Sequence, residues 1–164
     1  MRQFPDQPTT SSPASTSTTF QPVDGPTQID DLHFAARLVV WAARLWWRDR
    51  GNETGSRTML AQAFTLARCN IAAVAAFDEL MLMALHGACR HLDFASHPTR
   101  LGRDEQALID VIAAFQDDAV IGGERALEGW LPPATARLAC DAAIILARAL
   151  GRAGLYVHPR NQLN

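Results

Sequence analysis

The stretch "FAARLVVWAARLWWRDR", residues 34 to 50, constrains the fold more than any other part of the chain. On a helix turning about 100° per residue, His33, Arg37, Arg44 and Arg48 fall in one narrow polar stripe. Phe34, Leu38, Trp41 and Leu45 flank one side of it, while Val39, Val40, Ala43, Trp46 and Trp47 continue around the back. A helix apolar over so much of its girth needs neighbours on at least two sides. It is either the central helix of a bundle or one that hides part of its surface against a partner chain. Its expected start is near Thr27, an acceptable N-cap before "QIDD", whose carboxylates suit the positive end of a helix. Gly51, Asn52 and Gly55 stop it after Arg50.

The rest of the chain reads the same way. Residues 58 to 91 are helical in pattern, with a break near Asn70, the residue least suited to a helix interior. Phe77, Met81, Ala84, Leu85 and Ala88 form the apolar face of the second half, opposite Glu79, His86 and Arg90. A loop, "LDFASHPTRLG", contains the breaker Pro98. Gly102 then opens a helix with Asp104 and Glu105 in its first turn and Leu108, Val111, Ile112 and Phe115 facing inward. Asp118 is expected to cap a short helix ending near Trp130, weakened by Gly122 and Gly123. Pro132 and Pro133 open the last helix, which runs to about Leu150. It carries Leu138, Ile145 and Ala149 on one side and Arg137, Asp141, Arg148 and Arg152 along an exposed stripe. No alternating run suggests a strand. The expected fold is all-α, an irregular bundle of four to six helices.

Composition sets the domain plan and the compartment. Residues 1–27 are mostly Ser, Thr, Pro and Gln and bury too little to offset their ordering entropy, so they are expected to form a disordered tail before a single domain over 28–164. Phe20 and Val23, beside Pro22 and Pro26, are the only docking-motif candidates in that tail. The start of the chain has no apolar run of the secretory type. Three cysteines, Cys69, Cys89 and Cys140, form no C-x-x-C pair and leave one unmatched in any disulfide scheme, which suits a reducing, cytoplasmic setting. The run from Cys69 to Cys89 is nearly long enough to span a bilayer, but Asp78 and Glu79 lie at its middle. Two carboxylates there cost about 2.5 to 3.5 kcal/mol each on insertion, so a buried helix is expected instead.

Fifteen basic residues against seventeen acidic ones leave no overall field to recruit nucleic acid. Every basic residue is Arg, and their scatter along the chain fits the coding bias of a GC-rich, bacterial-type genome better than a built anion site. The stripe on the first helix, extended by "RDR", is expected to be a solvated face rather than a phosphate track.

Candidate chemistry is sparse. His86, Cys89 and His91 lie within six positions, with Glu79 and His97 near enough to be considered as further ligands of a metal ion or small molecule. His86 and Cys89 share one helical face, whereas His91 is turned about 140° from His86, so the three converge only if the helix ends before His91. The spacing matches no standard zinc site. Without a C-x-x-C-H, covalent haem attachment is excluded. Ser56 and Ser96, expected in loops, have no G-x-S-x-G elbow around them. The adjacent acids Asp30 with Asp31, Asp104 with Glu105 and Asp117 with Asp118 lie near expected helix starts, and Asp78 and Glu79 point away from each other. "IGGERALEG" lacks the strand and the Lys-Ser/Thr of a phosphate loop. No catalytic residue and no resident cofactor is therefore expected.

What is left is a surface. Trp41, Trp46 and Trp47 with Arg37, Arg44 and Arg48 place on one helix the two residue types most enriched at binding hot spots. The expected function is a non-enzymatic regulatory or assembly module that binds a protein partner or a second copy of itself, for which a symmetric dimer is the commonest form. A metal- or ligand-binding bundle centred on His86 and Cys89 is the alternative.

Overall fold

The computed structural model describes residues 27–50 and 54–157. Apart from Thr27, the expected tail and its Phe20 and Val23 lie outside the described residues. Within them the chain forms six helices: α1 (Phe34–Asp49), α2 (Thr54–Leu66), α3 (Ile71–Gly87), α4 (Arg103–Gln116), α5 (Val120–Glu128) and α6 (Pro133–Arg152). They contain no strand, only an isolated bridge between Gln28 and Arg100. The fold is all-α, and none of these helices is long and apolar enough to cross a membrane.

α1 begins at Phe34 rather than near Thr27, because the preceding backbone pairs elsewhere. The Ile29 N–H donates to the Thr99 carbonyl at 2.9 Å, and the Leu101 N–H donates to the Thr27 carbonyl at 3.0 Å. Ile29–Asp31 make one 3-10 turn, and His33 takes the N-cap position of α1. A tertiary contact with the loop before α4 has outcompeted a helix that local capping favoured.

The break near Asn70 is a complete separation of two helices. Asn70 caps α3, its side-chain oxygen accepting the Ala73 N–H at 3.2 Å. Before it, α2 ends in a Schellman turn centred on Arg68, whose φ of 62° is left-handed. The Cys69 N–H reaches back to the Phe64 carbonyl at 2.8 Å and the Arg68 N–H to Thr65 at 2.9 Å. Phe64 and Cys69 are both buried, which supplies the apolar contact that accompanies this motif. Asp118 plays the same part after α4, with φ 55° and an Ala119 N–H bond to Ala114 at 2.8 Å. It therefore closes α4, and the N-cap of α5 is Ala119.

α6 packs most extensively on α3 and also contacts α4 and α5. Small buried residues on both helices, Ala73, Ala76 and Ala84 on α3 and Ala136, Ala139, Ala143 and Ala147 on α6, let the two axes approach closely. Leu138 and Ile145 face outward, 66% and 46% exposed, so the inward face of α6 is the one on which these alanines sit with the fully buried Leu146 and Leu150. α5 is held by a comparably close contact, for a Cβ added to Gly123 would sit 2.5 Å from the Phe115 ring. Gln116 then fastens the chain after α6, its amide donating to the Leu155 carbonyl at 2.8 Å and its Oε1 accepting the Val157 N–H at 2.7 Å.

Candidate functional site

The three tryptophans of α1 have three different environments. Trp46 is fully buried, and its indole N–H donates to Asp78 Oδ1 at 2.7 Å. The second oxygen of Asp78 accepts from Arg57 at 3.2 Å, so one carboxylate joins α1, α2 and α3. Trp47 is half-buried and meets Phe94 at a tilt of 53° with centroids 4.9 Å apart, and Phe94 in turn meets Trp130 edge-on at 5.7 Å. Trp41 alone is exposed. Trp47 is partly covered by the loop before α4, whose Phe94 is drawn into the core. Of the expected aromatic surface, Trp46 presents nothing to a partner.

The arginines divide likewise. Arg44 grips Glu105 with both arms of its guanidinium, Nε to Oε1 at 2.6 Å and Nη2 to Oε2 at 2.9 Å, and donates further to the carbonyls of Pro98 and Arg100. Glu105 is 1% exposed and also accepts the Gly102 N–H at 2.7 Å. A bidentate, almost dry pair of this kind fixes geometry, and removing either partner strands a buried charge. A second clamp lies beside it. Arg90 pairs with both oxygens of the buried Asp104 and donates to the carbonyls of His91 and Gly129. Burial alone would raise the Asp104 pKa, but the Arg90 hydrogen bonds, the Asp93 N–H and the charges of Arg90 and Arg103 outweigh it and hold the carboxyl below its usual range. The two clamps pin both ends of the segment from Ala88 to Gly102 against the start of α4. Arg48 pairs with its neighbour Asp49 at 3.3 Å, and Arg37 is exposed with no carboxylate partner among the described residues.

An apolar groove opens where α1 meets α2. It has a volume of about 570 Å³ and is lined by Phe34, Leu38 and Trp41 from α1, by Ala63 and Leu66 from the end of α2 with Ala67 just beyond it, and by Leu155. Arg37 and Arg68, both exposed, also line it. Phe34 is 56%, Trp41 39% and Leu66 85% exposed, values more typical of an interface than of a folded interior. The wide apolar arc of α1 thus has a physical outcome: α2, α3 and α4 cover most of it, and the sector holding Phe34 and Trp41 is left open. The opposing wall, Leu66 and Arg68, depends on the Schellman turn that ends α2.

The residues considered as metal or ligand donors do not assemble. α3 ends at Gly87, early enough to free His91, yet among the described residues no group of three or more His, Cys, Asp or Glu could hold a metal ion. Glu79, His86, Cys89, His91 and His97 are all exposed. The reason lies in the backbone after α3: the Cys89 N–H bonds to the Trp130 carbonyl at 2.8 Å and Leu92 and Phe94 turn into the core, which carries the chain away from His86. Cys69 and Cys140 are free and buried, and burial raises both thiol pKa values, which keeps them protonated and poorly nucleophilic. Ser56, expected in a loop, is buried in α2.

Comparisons of the chain with protein-family models, with curated proteins and with solved structures find no match.

Proposed function

We propose that this protein is a non-enzymatic interaction module, a regulator or assembly factor, that binds a protein partner through the groove between α1 and α2. One observation carries the reading: Phe34, Trp41 and Leu66 stand exposed around a single concavity of about 570 Å³. Scattered exposed hydrophobics need no explanation, but a contiguous set lining a concavity marks an interaction site. Trp41 supplies the anchor, being rigid, amphipathic and of the residue type most enriched at binding hot spots. A second copy of the chain would cover the same surface. The exposed free thiol of Cys89 supports a reducing, cytoplasmic setting.

Native mass spectrometry of the protein from its own cells, as wild type and as Leu66→Asp, tests this reading. Leu66 is so exposed that the change leaves the fold intact. The expected result is an assembly heavier than the 17.9 kDa chain that reverts to the monomer mass in the variant. A bare monomer in both, or an assembly indifferent to Leu66→Asp, overturns it.

A further inference from the structure

We infer that the occupant of the groove is an acidic amphipathic helix, whose apolar stripe fills the concavity while its flanking carboxylates pair with Arg37 and Arg68; this rests on the reading of the groove as a protein-binding surface. Charge is the first support. α1 and α2 together carry Arg37, Arg44, Arg48 and Arg57 against one carboxylate, Asp49, although the whole chain is net −2. Three of those arginines already have carboxylate partners within the chain: Arg44 on Glu105, Arg48 on Asp49 and Arg57 on Asp78. Arg37 and Arg68, both exposed and both lining the groove, have no carboxylate partner among the described residues. An apolar concavity bearing two uncompensated guanidinium groups, with no carboxylate among its lining residues, selects an apolar ligand bearing negative charge at its margins.

Shape narrows the class. The α1 wall runs from Phe34 to Trp41, about two turns and roughly 10 Å of rise, the length covered by apolar positions i, i+4 and i+7 of a docked helix. A small carboxylate-bearing molecule is a poorer match, because sites for such ligands enclose most of the ligand surface and these walls are largely open to solvent. An anionic bilayer is flat and cannot enter a concavity, so it would touch the rim and leave Leu38, Ala63 and Leu155 unfilled.

The test uses the full chain and two fluorescein-labelled helical peptides with the same Leu and Phe at i, i+4 and i+7, one flanked by Glu and the other by Lys. Fluorescence anisotropy at low and high salt is expected to show the Glu peptide binding about tenfold more tightly, the difference shrinking as salt screens the exposed pairs. R37E combined with R68E is expected to reverse the preference, and Leu66→Asp to weaken both peptides. Equal binding of the two peptides, or a preference unchanged by R37E with R68E, overturns the acidic helix while leaving the groove a docking surface. Binding of neither peptide overturns it as well, and the source of the failure is then read directly. Self-association lost in Leu66→Asp assigns the groove to a second copy, and sedimentation with phosphatidylserine vesicles assigns it to a membrane. A native mass indifferent to Leu66→Asp is the separate result that removes the underlying interaction reading.

Discussion

Arg37 and Arg44 lie about two turns apart on one stripe of α1, and the fold uses them in opposite ways. Around Arg44 the molecule is closed: a buried carboxylate, two backbone carbonyls and the start of α4 absorb the guanidinium. Around Arg37 it is open, with exposed aromatic and aliphatic side chains and no carboxylate in reach among the described residues. The closed half, comprising the loop before α4 with α4, α5 and α6, holds its buried carboxylates Asp104 and Glu105 in bidentate arginine pairs and sets Gly123 hard against the Phe115 ring. The open half, α1 and α2, leaves apolar surface and charge unpaired. One residue type on one helix face is taken into the fold in the first setting and left exposed in the second, and which it becomes is decided by what packs opposite.

Substitutions should break the two halves unequally. The largest effect is expected for Arg44→Ala, which strands the buried Glu105 carboxylate. It should cost about 3 to 5 kcal/mol and lower Tm by on the order of 10 °C or more in thermal unfolding followed by circular dichroism. Gly123→Ala comes next, because its Cβ would overlap the Phe115 ring, and overpacking of this kind costs about 1 to 3 kcal/mol. Gly122→Ala, whose Cβ would meet only Ala119 at 3.8 Å, should instead stabilise by up to about 1 kcal/mol through helix propensity, and urea titration of the pair reads the contrast.

Acid titration probes the same closed half more gently. The Asp104 pKa is lowered in the folded state, so the folded form binds this proton less readily than the unfolded chain, whose Asp titrates near about 3.9. Its stabilisation is full well above that value and is lost as the pH falls through the lower, folded pKa. Unfolding free energy should therefore decline on acidification below about pH 5, and Asp104→Asn should remove part of that slope. A slope identical in the variant contradicts the clamp. The smallest effects belong to the open half, where Arg37→Ala and Leu66→Asp should each change stability by no more than about 0.5 kcal/mol. A Tm loss in Leu66→Asp comparable to that of Arg44→Ala would mean that the groove is structural.

Much of this division was legible in the sequence, and the exceptions have physical causes. The helix count, the separation at Asn70 and the inward face of α4 follow from periodicity and capping, which are local. The excess apolar girth of α1 implied that some of it would stay uncovered but not which sector, and Phe34 and Trp41 are the large residues left exposed. Choosing among Trp41, Trp46 and Trp47 requires knowing that Phe94 enters the core and that Asp78 receives the Trp46 indole, and both are contacts between residues far apart in the chain. Arg68 escaped notice because a left-handed helix terminus is read from Gly or Asn, and here an arginine holds it. Leu138 and Ile145 misled because residue size suggests burial, whereas the buried face of α6 combines alanines with Leu146 and Leu150. The cluster of His86, Cys89 and His91 is close in sequence only, since the backbone after Gly87 turns away into the core.

Site-specific photo-crosslinking in the protein's own cells measures the difference between a groove and an ordinary exposed side chain. Leu66 and Leu138 are both largely exposed, one on the groove wall and the other on α6, so a photoreactive amino acid at each position samples the two surfaces under one condition. Position 66 should yield a discrete protein adduct that disappears when Arg37 and Arg68 are both changed to Glu, and position 138 should yield none. An adduct from position 138 alone, or from both positions equally, would contradict the assignment of the interaction surface to the α1–α2 groove.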